Sequence, residues 1–268
     1  MILAAGLGTR FAPWTDRHPK ALAPVNGKSL LQRNIEYLQA YGIRDVVVNV
    51  HHFAAQIIDA LNVNDGWGSK ITISDETGQV LETGGGLKKA RPFLDKEHFV
   101  LMNADILTDL DLSKLIHDHF QHRPLATLAV TGRSSSRYFL FDERMELCGW
   151  RNTNTGQEKI ARTVARIPGP NEQISGASEP PPRLVGQTPG LIGQTPGLIE
   201  AIPKAFSGIH VIDPAIFPLI RQEGKFSTVD MYLDLAANHA IRGFDHSHSK
   251  FIDVGKPESV PQAEALFP

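Results

Sequence analysis

A single cysteine, Cys148, in 268 residues excludes a disulfide framework and makes a reducing, cytoplasmic setting the simplest expectation. No apolar run reaches the roughly 18 residues of a membrane span, and the apolar opening at 1–5 is too short for a secretory leader. Neither charge is in useful excess, with 27 Lys+Arg against 29 Asp+Glu. That balance argues against a nucleic-acid partner or an anionic membrane surface. The triphosphate loop G-x-x-x-x-G-K-[ST] is absent. The expectation is a globular chain, monomer or homodimer, whose partners are small molecules.

Apolar strand-like segments alternate with amphipathic ones through the first half. "MILAA" (1–5), "DVVVNV" (45–50), "KITIS" (70–74) and "HFVLMNAD" (98–105) read as buried strands. Between them, 29–42 sets Leu31, Ile35 and Leu38 on one helical face, with Ser29 as N-cap and Gly42 as stop. Segments 52–61 and 111–120 read as helices in the same way. Alternation of this kind predicts an α/β fold, its sheet covered on both faces and its ligand beyond the carboxyl ends of the strands. In the second half, 125–131, 137–142, 146–150 and 205–212 read as strands with few helices between them. A helix is expected over 228–240, and a closing one over 257–267. Residues 167–203 hold 8 of the 18 prolines and carry "GQTPGLI" twice, at 186–192 and 193–199. They read as a surface loop or disordered insertion.

The chemistry-bearing residues follow predicted strand ends. After the first strand, Gly6-Leu7-Gly8-Thr9-Arg10 can bring backbone N–H groups close to phosphate oxygens. Phe11 and Pro13 argue against a dinucleotide fingerprint. Arg10, Arg17 and Lys20 add positive charge nearby. Asp105 ends the fourth strand and Asp253 ends "FID"; a carboxylate in either place is costly to bury unless paired or bound to metal. Asp109 and Asp111 read as solvated or capping. His246 and His248 have the H-x-H spacing of a metal pair but lack a third ligand. His117, His119 and His122 read as a solvated helix face, and Cys148 as a core or edge residue. The run "ETGGGLKKA" (82–90) is open at this point: phosphate cradle, base clamp or helix-entry turn.

At these positions the chain resembles the sugar-1-phosphate nucleotidylyltransferases. "LAAGLGTRFAPWTDRHPKAL" is similar to that family's L-A-[AG]-G-x-G-T-R…P-K-x-[LM] signature, "NAD" (103–105) to its metal aspartate, and "FIDVGKPES" to its W-x-D-[VI]-G-[TK]-P-E segment. The resemblance spans nearly the whole chain outside 167–203. It implies a three-layer, Rossmann-like (GT-A-like) fold with a mixed, mainly parallel central sheet in one domain. Residues 1–122 would be the nucleotide half and 123–268 the sugar half. It implies joining of an NTP to a sugar 1-phosphate, giving a nucleotide-sugar and pyrophosphate. Arg10 and Lys20 would be catalytic, and Asp105 and Asp253 would hold Mg²⁺. Ala4, Ala5, Gly6, Gly8 and Thr9 would contact the nucleotide, as would Glu82, Thr83, Gly84 and Gly85 at the base and ribose. Gly208, in "AFSGIHVI", would contact the sugar. "LETGGG" is most similar to N-acetylmuramate-1-phosphate uridylyltransferases, whereas mannose- and heptose-1-phosphate guanylyltransferases more often read L-G-T-A-G or L-G-T-G-G. No E-K-P precedes the sugar strand, so sugar contacts there do not carry over. The family usually has a few residues before "MILAAG". A catalytically silent nucleotide-sugar sensor on the same fold is the alternative; the presence of Arg10, Lys20, Asp105 and Asp253 favours activity.

Overall fold

A computed structural model describes residues 1–162 and 201–268. The first half alternates as the periodicity requires. It runs β1 (Ile2–Leu3), a short ribbon of β2 (Pro24–Val25) and β3 (Lys28–Ser29), α1 (Leu30–Ala40), β4 (Asp45–Val50), α2 (Ala54–Val63), β5 (Lys70–Asp75), α3 (Glu82–Lys89), α4 (Arg91–Leu94), β6 (Phe99–Asn103), β7 (Ile106–Thr108) and α5 (Leu112–His122). The second half is strand-rich: β8 (Ala126–Thr131), β9 (Arg137–Phe141), β10 (Leu147–Asn152), β11 (Glu158–Ile160), β12 (Ile202–Ile212), α6 (Thr228–Ala236), β13 (Ile241–Asp245), β14 (Phe251–Asp253) and α7 (Val260–Leu266).

Ten of these strands share one mixed sheet, in the order β11-β10-β9-β12-β6-β1-β4-β5, with β8 on β12 and β13 on β8. The β6-β1-β4-β5 portion is parallel throughout. Strand alternation then serves two cores. Val46, Val48 and Val50 of β4 and Val100 and Met102 of β6 face the layer of α1, α2 and α5, while Val47 and Leu101 face the layer of α3 and α6. Both faces are covered, hence the near-continuous apolar runs. Leu31, Ile35 and Leu38 of α1 are buried, and the Ser29 hydroxyl caps the helix by accepting from Gln32 N at 3.1 Å. Asp111 caps α5, accepting from Ser113 N.

Three expectations are corrected. Strand β1 stops at Leu3 rather than Ala5, because the amides of Ala4 and Ala5 turn to the side chain of Asn49 instead of a neighbouring strand. His119 is fully buried rather than solvated; it bonds Thr127 Oγ1 (2.9 Å) and His98 Nδ1 (3.0 Å), and burial lowers its pKa to about 4. Ile202 and Pro203, read as the end of the insertion, already pair with Phe141 and Leu140 of β9. The tandem "GQTPGLI" repeat and most of the insertion lie outside the described residues. Among the described residues no helix is long and apolar enough to cross a membrane, and no three metal-capable side chains cluster. His246 is buried and bonds Ser207 Oγ through Nε2 at 2.8 Å. Cys148 is buried, which pushes its thiol up to about 12.

Candidate active site

A cleft of about 540 Å³ opens beyond the carboxyl ends of β1, β4, β5 and β6, within the range of small-molecule sites. Its floor is the turn after β1. Asn49, a lone polar residue in the apolar run of β4, accepts from Ala4 N (2.6 Å) and Ala5 N (3.3 Å). Those two amides are therefore committed to the protein, and Ala4 and Ala5 line the cleft by shape alone. The chain then bends away through Gly6, Leu7 and Gly8. Among the described residues, the amides of these three donate to no protein acceptor, which is the state expected of an anion cradle. Gly8 has φ +62, and a Cβ there would lie 2.9 Å from the Thr15 methyl and 3.1 Å from Lys20 Cβ. Glycine lets Lys20 approach the turn. Thr9 and Arg10 continue in a one-turn 3₁₀ helix, Thr9–Phe11.

The charged centre comes from three segments distant in sequence. Lys20 Nζ is ion-paired with Asp105 Oδ2, with the two side chains 13% and 22% exposed. Asp105 is held in place by its backbone: Ala104 N donates to Leu3 O (3.0 Å), Val254 N donates to Asp105 O (2.9 Å), and Asn34 Nδ2 donates to Ala104 O (2.8 Å). β7 and β14 pair antiparallel with Asp253 opposite Ile106, so Asp253 arrives beside Asp105. Asp253 opens to solvent on one side. Packing on its other sides and repulsion from Asp105 push its carboxyl above the ordinary range, and Lys20, Arg10 and Arg133 offset this only in part. Arg10 reaches the same place: its Nη2 would lie 3.3 Å from a Cβ built on Gly255, and Asp253 Oδ1 2.8 Å from it. Of the charged residues expected at the site, Lys20 and Asp105 line the cleft, whereas Arg10, Arg17 and Asp253 are not part of its lining.

The triple-glycine run sits inside α3, not before it. Glu82 (φ +60) and Thr83 line the cleft, and Glu82 is 3.3 Å from Nζ of Lys225, which lines it too. Gly84 and Gly85 are buried, and both amides donate to Phe226 O, at 2.9 and 3.2 Å. A Cβ on Gly84 would lie 2.5 Å from the Phe226 ring; one on Gly85 would lie 2.2 Å from Gly224 O; one on Gly86 would lie 2.6 Å from Glu76 Oε1. These glycines let α3 pack against 224–227 and Glu76, and Gly84 and Gly85 are not themselves part of the cleft lining. Gly208 is likewise buried, at φ +72 beside a register shift in β12, with Asn103 Nδ2 only 2.7 Å from where its Cβ would be. It makes room for Asn103, and Asn103 lines the cleft.

Sequence reasoning passed over Asn49, Glu76, Asn103 and Lys225, all cleft residues. A polar residue interrupting "DVVVNV" was the available signal for Asn49. Glu76 is 1% exposed and accepts from Asn49 Nδ2 at 2.7 Å; burial raises its pKa from 4.5. A raised carboxyl binds more protons folded than unfolded, so stability falls as pH rises from about 4.5 through the folded pKa. Glu76→Gln is expected to remove that loss. Melting temperatures of variant and wild type should converge below pH 4.5 and separate above it, the variant higher. Parallel curves across pH 4–8 would refute the assignment.

The nucleotidyl transferase family model matches residues 1–139. The N-acetylmuramate alpha-1-phosphate uridylyltransferase of Neisseria meningitidis is 41% identical over 113 residues, 42% of this chain and 49% of that protein. That of Caulobacter vibrioides is 44% identical over 107 residues, 39% of this chain and 44% of that protein. The match thus spans about half the length of these curated relatives. A mannose-1-phosphate guanyltransferase of Kluyveromyces lactis is 33% identical over 270 residues, covering 100% of this chain and 64% of that protein. The structure of HddC from Yersinia pseudotuberculosis complexed with GMP-PN has the same fold, with a TM-score of 0.69 at 21% identity over 100% of this chain and 98% of that one. On its matched half and its fold, this chain belongs to the nucleotidyl transferase family.

Proposed function

We propose that the chain joins an NTP to a sugar 1-phosphate, releasing pyrophosphate. The observation that carries this reading is the meeting of Asp105, Asp253, Lys20 and Arg10 beside a turn of uncommitted amides. A phosphate oxygen of the sugar attacks the α-phosphorus and forms a new P–O bond. The bond to the β-phosphate bridging oxygen breaks, and pyrophosphate leaves with its electron pair. Both reactants are anions, so charge neutralisation and in-line positioning dominate. The sugar phosphate is already ionised near neutrality, and no general base is needed.

In this reading the amides of Gly6, Leu7 and Gly8 cradle the triphosphate, Lys20 holds the α-phosphate and Arg10 the departing pyrophosphate. Two adjacent carboxylates, one raised by burial and by the other's charge, are a donor set suited to a hard divalent cation. Asp105 and Asp253 would hold Mg²⁺, which would supply positive charge to offset the anionic substrates. Glu82 and Thr83 would border the base and ribose.

For the substrate pair, UTP and N-acetylmuramate 1-phosphate are the first reading. It is supported by "LETGGG" and by the identities of 41% and 44% to the muramate enzymes. A guanylyltransferase acting on mannose or heptose 1-phosphate is the second, supported by the 33% identity along the whole chain to a mannose enzyme. Pyrophosphate release with Mg²⁺, on a grid of UTP, GTP, dTTP and CTP against N-acetylmuramate, mannose, heptose and glucose 1-phosphates, tests both. Turnover concentrated in the UTP and N-acetylmuramate cell is expected. Turnover with GTP and a manno sugar would transfer the assignment to the second reading, and silence everywhere from folded protein would refute transfer.

A further inference from the structure

A third cation acts on the Asp253 carboxylate, from the opposite half of the chain to Arg10 and Lys20. Arg133 follows β8 in a loop whose Gly132 N donates to Ser247 Oγ at 2.8 Å. Its Nη2 donates to Phe206 O at 2.8 Å, and its guanidinium carbon lies 5.0 Å from the centroid of the Phe251 ring. Phe251 and Asp253 are two residues apart on β14, so their side chains leave the same face of that strand. Asp253 and Arg133 feel each other's charge. Yet Arg133 makes no salt bridge among the described residues, and its Nε is buried without an acceptor.

A guanidinium aimed by a carbonyl and an aromatic face, half-buried and without a direct ion pair, is suited to receive an anion. The transfer reaction brings two anions. The triphosphate is accounted for on the β1 side by the turn, Lys20 and Arg10. The acceptor's phosphate needs a cation not already assigned to the triphosphate, and Arg133, just after β8, is one that acts on Asp253.

We propose that Arg133 binds the phosphate of the sugar 1-phosphate and orients it for attack. The proposal rests on the transfer reading above and deepens it. The planar fork of arginine would hold two phosphate oxygens and leave a third free to attack, a geometry that lysine cannot reproduce.

The test is steady-state kinetics of Arg133→Ala and Arg133→Lys with the sugar 1-phosphate that the wild type turns over best, each substrate varied at saturating levels of the other. Arg133→Ala is expected to raise KM for the sugar 1-phosphate by about 30-fold or more. KM for the NTP should stay within about twofold, since those contacts lie elsewhere. Arg133→Lys should recover part of the loss, and added guanidinium ion should partly rescue Arg133→Ala. An unchanged sugar-phosphate KM, or equal rises for both substrates, would overturn the role of Arg133 and leave transfer standing. A wild type silent with every pair would overturn transfer itself, and Arg133's role with it.

Discussion

Replacing Asp253 by Asn is expected to lower the proposed nucleotidyl transfer by about 10³-fold or more, because the substitution removes half of the proposed two-carboxylate cation site, where charge stabilisation would be the main catalytic resource. The same variant should fold well. Asp253 sits next to Asp105, and its carboxyl is pushed up by packing and by that neighbour. Removing one of two like charges relieves the metal-free protein, so its melting temperature without Mg²⁺ should equal or exceed that of the wild type. Asp105→Asn should differ: it breaks the ion pair with Lys20 and strands that ammonium at 13% exposure, so activity and stability should fall together. Pyrophosphate release and thermal melts on the two variants check this. Turnover within tenfold of wild type in Asp253→Asn would remove the residue from the reaction.

Gly85→Ala is expected to destabilise the protein by about 2 kcal/mol, with a fall in Tm of roughly 4–8 °C. The estimate sets about 3 kcal/mol of overpacking against about 1 kcal/mol gained in helix propensity. The added methyl would lie 2.2 Å from Gly224 O, a backbone atom. That segment cannot step aside freely: Phe226 O already accepts from Gly84 and Gly85, and Lys88 Nζ holds Gln222 O at 2.7 Å. Moving it would also shift Lys225 and Ser227, which form the cleft wall. Gly6→Ala is the control. Nothing lies within 4 Å of its Cβ position, so its stability should stay within about 0.5 kcal/mol of wild type. A Gly85→Ala melt within 1 °C of wild type would show that α3 can slide on 224–227.

The two glycine variants also separate what was readable from what was not. "GLGTR" and "TGGGL" look alike as strings, and both suggest close approach of a ligand. In the folded chain the first is an open turn with uncommitted amides, and the second is a helix pressed onto another segment. A glycine states that a side chain would not fit; it does not state whether a ligand or the protein itself fills the space. His119 shows the same limit. His117 and His122 of the same helix are exposed, yet His119 faces β8, where it bonds Thr127 Oγ1, and is fully buried. One helix face is too short a pattern to tell a hydrogen-bonded core histidine from a solvated one.

The sequence by itself determined the alternation of strands and helices, the covering of the sheet on both faces, the ends of α1, and the family signature with Lys20, Asp105 and Asp253. Those features rest on local periodicity, capping and contiguous motifs, which a linear string preserves. Only the tertiary structure decided that Asp253 lies beside Asp105, that Asn49 and Glu76 tie down the turn after β1, and that Arg133 stands over Phe251. Each of these depends on register between segments 27 to more than 100 residues apart. Pairing across that distance is set by packing of the whole sheet, and no local pattern records it.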